Sequence, residues 1–281
     1  YAAYHRQEPV LTLPASDPLR DLVVTPSMRA TQKYFWIVCA LFLLQILLGA
    51  ITAHFQVEKN FYGIEVSRFL PYSLSRSWHT ELAVLWIATA WLGTGLYIAP
   101  AISGHEPKFQ RLGVNFLFCC LLVIVVGSFA GQWFAVMQKL GLAHNFWFGH
   151  QGWEYTDLGR FWQIFLFIGL MLWLLLVGRA LWPALRRRDD MASIVGLLFL
   201  STIAIGVLYG AGLMWGENTH LVIVEYWRWW VVHLWVEGVF EVFATAIISL
   251  LFVHMGLVRT STATVMVLFA TIVFLFGGVL G

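Results

Sequence analysis

Apolar residues run through this chain in seven long stretches separated by short polar intervals. They cover roughly residues 34–53, 74–99, 112–137, 161–181, 191–215 and 224–255, and a seventh begins near Ser261. Each holds about 20 residues or more, which at 1.5 Å per residue crosses a ~30 Å hydrocarbon layer as a helix. A helix satisfies its own backbone groups where water cannot, so the pattern predicts an all-α integral membrane protein. The second stretch is expected to stop at Pro100, and the fourth at Pro183 and Arg186-Arg187-Arg188. Residues 1–30 are polar and carry Pro9, Pro14, Pro18 and Pro26. They read as a surface arm, and residues 31–281 as the helix bundle.

Composition agrees. The chain is 60% apolar and 11% charged, against about 25% charged in soluble domains. A net charge of +2 gives no ground for a nucleic-acid partner. Cys39, Cys119 and Cys120 lie in apolar runs without CxxC spacing and read as small buried hydrophobes. Of the 17 Lys and Arg, eleven fall in the arm and in the loops that share its side, including Arg186, Arg187 and Arg188. The excess of positive charge places residues 1–30 in the cytoplasm and the loops around 54–73, 138–160 and 216–223 outside. The chain begins at Tyr1 and stops at Gly281 within an apolar run, and is read as a segment of a longer protein.

One stretch departs from the apolar pattern in a way that carries chemistry. Val231-Val232-His233-Leu234-Trp235-Val236-Glu237-Gly238-Val239-Phe240-Glu241 puts an imidazole and two carboxylates inside the sixth span. On an α-helix His233 and Glu237 stand ~6 Å apart along the axis and ~40° around it, and Glu241 continues that face. Ionisable groups inside a span cost several kcal/mol unless compensated. A bound cation is the simplest compensation, and nitrogen plus carboxylate oxygen suits iron, zinc or manganese better than soft copper. Either Glu237 is metal-bound and charged, or it is protonated and passes protons.

Three other groups stand beside ordinary readings. His79, in Trp78-His79-Thr80-Glu81 at the outer entry of the second span, is an interfacial histidine or an axial haem ligand, since an apolar bundle holds a flat macrocycle between imidazoles. His54 and Glu58, at i, i+4 where the first span leaves the membrane, are a solvated helix end or a proton-accepting pair for a docked quinol. Glu154, in an outer loop, is solvated or a calcium ligand. His5, His105, His144, His150, His220 and His254 have no partner in the sequence.

At these residues the chain resembles the haem-copper oxidase superfamily, and within it the nitric oxide reductases. Respiratory oxidases of that fold carry a copper-ligating His with a Tyr four residues on, in a His-Pro-Glu-Val-Tyr run. Here the run is His233-Leu234-Trp235-Val236-Glu237, with Glu in place of Tyr, the pattern of reductases whose active-site metal is non-haem iron. Trp78-His79-Thr80 is similar to the low-spin haem ligand of the family, and His54 with Glu58 to the quinol site of its single-chain branch. The run Phe69-Leu70-Pro71-Tyr72-Ser73-Leu74 and onward to Trp91 also looks like that branch.

The resemblance implies a bundle of twelve or more helices, of which this segment supplies about seven, in a bacterial cytoplasmic membrane. It implies two haem b groups and a non-haem iron, with His233 and Glu237 as iron ligands and Glu241 supplying or passing protons. It further implies His79 on the low-spin haem and Glu154 on a calcium ion. Further His ligands would lie beyond Gly281, and an extracytoplasmic domain before Tyr1. The partners expected are quinol, nitric oxide, the lipid bilayer and the remaining helices of the same protein, and the fold is compatible with a homodimer. The expected reaction joins two nitric oxide molecules, two electrons and two protons into nitrous oxide and water. An oxygen-reducing quinol oxidase of the same superfamily and a proton-coupled transporter using the same three residues are the alternatives.

Overall fold

The computed structural model describes residues 14–280 apart from 17, 19 and 152–157. A short helix, α1 (Pro26–Ala30), leads into α2 (Gln32–His54). There follow α3 (Tyr72–Ser103), α4 (Gln110–Val136), the short α5 (Leu142–Phe148), α6 (Arg160–Leu185) and α7 (Ala192–Leu208), which tightens into a 3-10 segment, Tyr209–Leu213. The sixth span is continuous from Leu221 to His254 in three windings: α8 (Leu221–Trp229), a π-helical segment (Trp230–Phe240) and α9 (Glu241–His254). The last helix is α10 (Thr260–Leu280). Seven helical spans are long and apolar enough to cross a membrane, so the bundle expected from hydropathy is present. Among the described residues there is no strand, only isolated bridges at Phe61–Ile64 and His150–Leu158.

The ends of the spans depart from expectation in two places. α3 runs through Pro100 to Ser103, and α6 through Pro183 to Leu185. A proline this close to a helix C-terminus removes one hydrogen bond, and neighbouring groups take over the freed carbonyls. Gly104 ends α3 at φ 66, its N–H donating to Pro100 O, a conformation glycine adopts without strain. Arg187 then reaches across from the end of α6 and donates to Ser103 O at 2.8 Å and Ile102 O at 3.4 Å. The Arg186-Arg187-Arg188 run thus supplies a tertiary cap as well as surface charge. The end of the arm is also docked: Ser27 and Met28 are buried, and Ser27 N–H donates to the Glu106 carboxylate. Of the three cysteines Cys120 is buried as expected, whereas Cys39 and Cys119 are exposed on the outer faces of α2 and α4; an apolar run in lipid has no need to bury every side chain.

α3 lies at the centre, between α2 and α6. Its small residues let large side chains in. Trp173 of α6 is fully buried beside Gly95, donates its indole N–H to Leu92 O at 3.1 Å and packs on Phe243 of α9. Tyr34 of α2 is fully buried near Gly93 and donates to Val114 O at 2.8 Å, tying α2 to α4. Such close packing with small residues is how helices associate in lipid, where burial of apolar area gives little drive.

The closest approach is at Gly131 of α4, where an added methyl would lie 1.8 Å from the carbonyl oxygen of Phe148. That obstacle is backbone and cannot rotate away. Gly131→Ala is therefore expected to destabilise the protein by about 2 kcal/mol, lowering its unfolding temperature in detergent by several degrees. Gly196→Ala, where nothing lies within 4 Å, leaves that temperature unchanged or slightly raised. Equal unfolding temperatures for the two variants would refute the packing assignment.

Candidate functional site

The π-helical segment carries the residues singled out by sequence. A wider i→i+5 winding is rare and is found often at functional sites. Here it is held by Trp235, which is buried, donates to Ile205 O of α7 at 2.7 Å and packs on Tyr209 and Phe240. His233 Nδ1 lies 2.6 Å from Glu237 Oε2, so imidazole and carboxylate converge as their spacing predicts. The expected α-helical winding is corrected to π. Four residues along, either winding returns a side chain to within about 40° of its starting direction, on opposite sides; eight along, the two directions are far apart. Glu241 accordingly begins α9 as an exposed residue outside the His233–Glu237 contact.

The pair is asymmetric. His233 has 22% of its side chain exposed and Glu237 58%. The ring stacks on Trp229 at 4.9 Å, and its Nε2 is buried with no hydrogen-bond partner. One ring nitrogen thus faces a carboxylate while the other has none. This donor set, one imidazole and one carboxylate aimed at each other, fits a divalent metal of intermediate hardness. Among the described residues no group of three or more His, Cys, Asp or Glu gathers around a point; His233 and Glu237 are the two such donors brought together here.

His79 is placed for a different task. It stands on α3 against α2, with Nδ1 2.9 Å from Gln45 O. A carbonyl only accepts, so Nδ1 carries the proton and Nε2 keeps its lone pair. Gly49 makes room for the ring, since a methyl there would come within 2.7 Å of Cε1. Gln45 is itself held by Trp86, whose indole donates to Gln45 Oε1 at 2.7 Å. An imidazole fixed through its far N–H with the other nitrogen free is the usual preparation of a metal ligand, and it fits axial ligation of a haem.

His54 and Glu58 come to 3.9 Å at the outer end of α2. The His54 ring lies 4.0 Å from that of Phe61, and Phe55 joins Phe61 to Tyr72. Both members of the pair are solvent-accessible. Glu154 lies outside the described residues. Burial pushes the His150 imidazole below its ordinary range.

Several buried polar residues escaped the sequence reading. Glu81, two residues after His79, is buried in α3 and accepts a hydrogen bond from Gln132 Nε2 of α4. Arg228 of α8 is buried and paired with Glu225 at 2.5 Å. Arg160 of α6 is buried and donates to Gly212 O at 3.0 Å and to Trp215 O. Glu81 and Arg228 line a cavity of about 160 Å3 whose other walls include Leu85, Leu92, Tyr209, Trp235 and the two valines beside the site, Val232 and Val236. The available signal was charge within a span, since Glu81 and Arg228 both fall inside membrane-length helices.

Residues 29–281 match the family described as "Cytochrome C and Quinol oxidase polypeptide I". Over 224 residues the chain is 25% identical to a nitric oxide reductase subunit of Stutzerimonas stutzeri, a match covering 79% of this chain and 45% of that protein. The chain thus spans about half the length of the curated relative it matches. With nearly its whole length matched and its spans in place, the chain belongs to the cytochrome c and quinol oxidase polypeptide I family of the haem-copper oxidase superfamily, as a multi-pass membrane protein.

Proposed function

We propose that the protein reduces nitric oxide to nitrous oxide, taking electrons from a membrane quinol. The observation that carries this reading is the 2.6 Å approach of Glu237 to His233. A carboxylate at that position brings a hard oxygen donor to a site that all-imidazole ligation would suit to copper. The similarity to a nitric oxide reductase subunit points the same way. Membership of the cytochrome c and quinol oxidase polypeptide I family supports redox chemistry over the transporter alternative, with oxygen reduction as the rival.

In the proposed site His233 and Glu237 hold a non-haem iron, and His79 holds the low-spin member of two haem b groups through Nε2. When bound, these groups supply electron transfer and two adjacent positions for two nitric oxide molecules. Glu237 offsets the cation's charge inside the membrane. Glu241, exposed at the start of α9, accepts protons and passes them toward the pair. His54 and Glu58 accept the protons that a quinol loses on oxidation, and the Phe55–Phe61–Tyr72 cluster offers its ring a flat apolar surface. Glu154 is assigned to calcium. Exposed carboxylates on a membrane-length helix are costly in lipid, so in the proposed assembly further helices of the same protein cover this face.

Metal analysis separates ligand from bystander: Glu237→Ala is expected to lose most of its non-haem iron while retaining haem, and full iron in that variant would remove Glu237 from the ligand set. Glu241→Gln keeps iron and the haem spectrum but slows turnover by about 100-fold, a typical loss for a proton-transferring group; unchanged turnover would exclude it from the proton path. The activity itself is tested in the intact protein supplied with a soluble quinol. Nitrous oxide is expected from nitric oxide at a rate well above oxygen uptake, and the reverse order would establish the oxidase reading.

A further inference from the structure

At the end of the bundle where the positive charges concentrate, α1 and the first turns of α2 and α4 enclose a cavity of about 550 Å3. It is remote in sequence from every residue assigned above. Arg29, Lys33 and Arg111 line it, and no Asp or Glu does. Lys33 donates to Asn115 Oδ1 and lies 4.9 Å from the centroid of the Phe118 ring, both neutral partners. No carboxylate among the described residues pairs with any of the three cations. Three like charges around one cavity repel one another, and a shared anion relieves that repulsion. The positive ends of α2 and α4 are at the same level and add to the field.

What adjoins the cavity distinguishes among anions. Trp36 forms one wall and is 68% exposed. Further along the same helix faces Leu43 and Leu47 of α2 and Cys119 and Val126 of α4 are exposed, in the part of these helices that crosses the hydrocarbon layer. A cationic pocket at the membrane surface with a tryptophan at its rim and an apolar flank leading inward complements a molecule that is anionic at one end and apolar at the other. The positive charge of this end marks it as the cytoplasmic face, whose leaflet carries anionic lipid. We infer that the cavity binds the phosphodiester headgroup of an anionic glycerophospholipid, with its acyl chains along the exposed faces of α2 and α4.

The test uses the intact protein, delipidated in neutral detergent and titrated with phosphatidylglycerol or phosphatidylcholine, with bound lipid counted by native mass spectrometry. Each cation contributes roughly fivefold to the partition of an anionic headgroup, and three about a hundredfold. The combined variant Arg29→Gln, Lys33→Gln, Arg111→Gln is expected to weaken phosphatidylglycerol binding by about that factor and leave phosphatidylcholine unaffected. Removing three exposed charges elsewhere at the same end, with Lys108→Gln, Arg186→Gln and Arg188→Gln, changes it by less than about twofold. The charge-conserving pair Arg29→Lys, Arg111→Lys retains binding, which separates recognition from misfolding. Equal losses in the two triple variants, loss in the charge-conserving pair, or displacement of the lipid by millimolar inorganic phosphate would each overturn the assignment.

Discussion

A carboxylate and an imidazole touching inside a membrane-length helix is the constraint to which the rest of the molecule answers. Neither group is tolerated alone at that depth without a cost of several kcal/mol. At 2.6 Å each compensates part of the other's polarity, and the π winding sets which neighbours can join them. The turn is anchored outside itself, through the indole of Trp235 on Ile205 O and its packing on Tyr209. Sequence spacing, local winding and the packing of α7 are therefore one problem.

The same logic governs His79 at a different level. Its lone pair is directed by a backbone carbonyl of a neighbouring helix, Gln45 O, and its ring is accommodated by a missing side chain, Gly49. Neither is a metal ligand, and each limits what the imidazole can do. Helices that associate through small residues approach closely enough for a side chain on one to be oriented by the backbone of the next. Close packing thus becomes ligand geometry without additional polar groups in the lipid.

How much of this was legible in the sequence depends on whether local or tertiary physics decides. The seven spans were readable because each apolar run must satisfy its own backbone. The His233–Glu237 and His54–Glu58 contacts were readable because a four-residue spacing survives small changes of winding. The continuation of α3 beyond Pro100 was not, because Arg187, far along the chain, supplies donors to its final carbonyls. The placement of Glu241 on one stripe with the pair assumed an α-helix, whereas Trp230–Phe240 winds as a π-helix. The burial of Glu81 was hidden for a similar reason: a carboxylate in Trp78-His79-Thr80-Glu81 is solvated or enclosed according to which face meets α4, where Gln132 supplies its donor.

These buried polar groups also show which site is chemically open. Glu81 has Gln132, Arg228 has Glu225, and Arg160 has the carbonyls of Gly212 and Trp215. Each has a partner within the chain. The stretch from His233 to Glu241 is different. His233 keeps a buried ring nitrogen without a partner, and Glu237 and Glu241 keep exposed carboxylates on a helix built to cross lipid. A purely structural role would leave His233 Nε2 and the Glu241 carboxylate at a cost that the His233–Glu237 contact does not offset. A cation completes the set with one addition, since it draws on the imidazole and the carboxylate together and removes the isolated charge. That stretch, with polar atoms still open, is accordingly where the proposed redox chemistry is placed, and its Val232, Trp235 and Val236 help wall the cavity beside it.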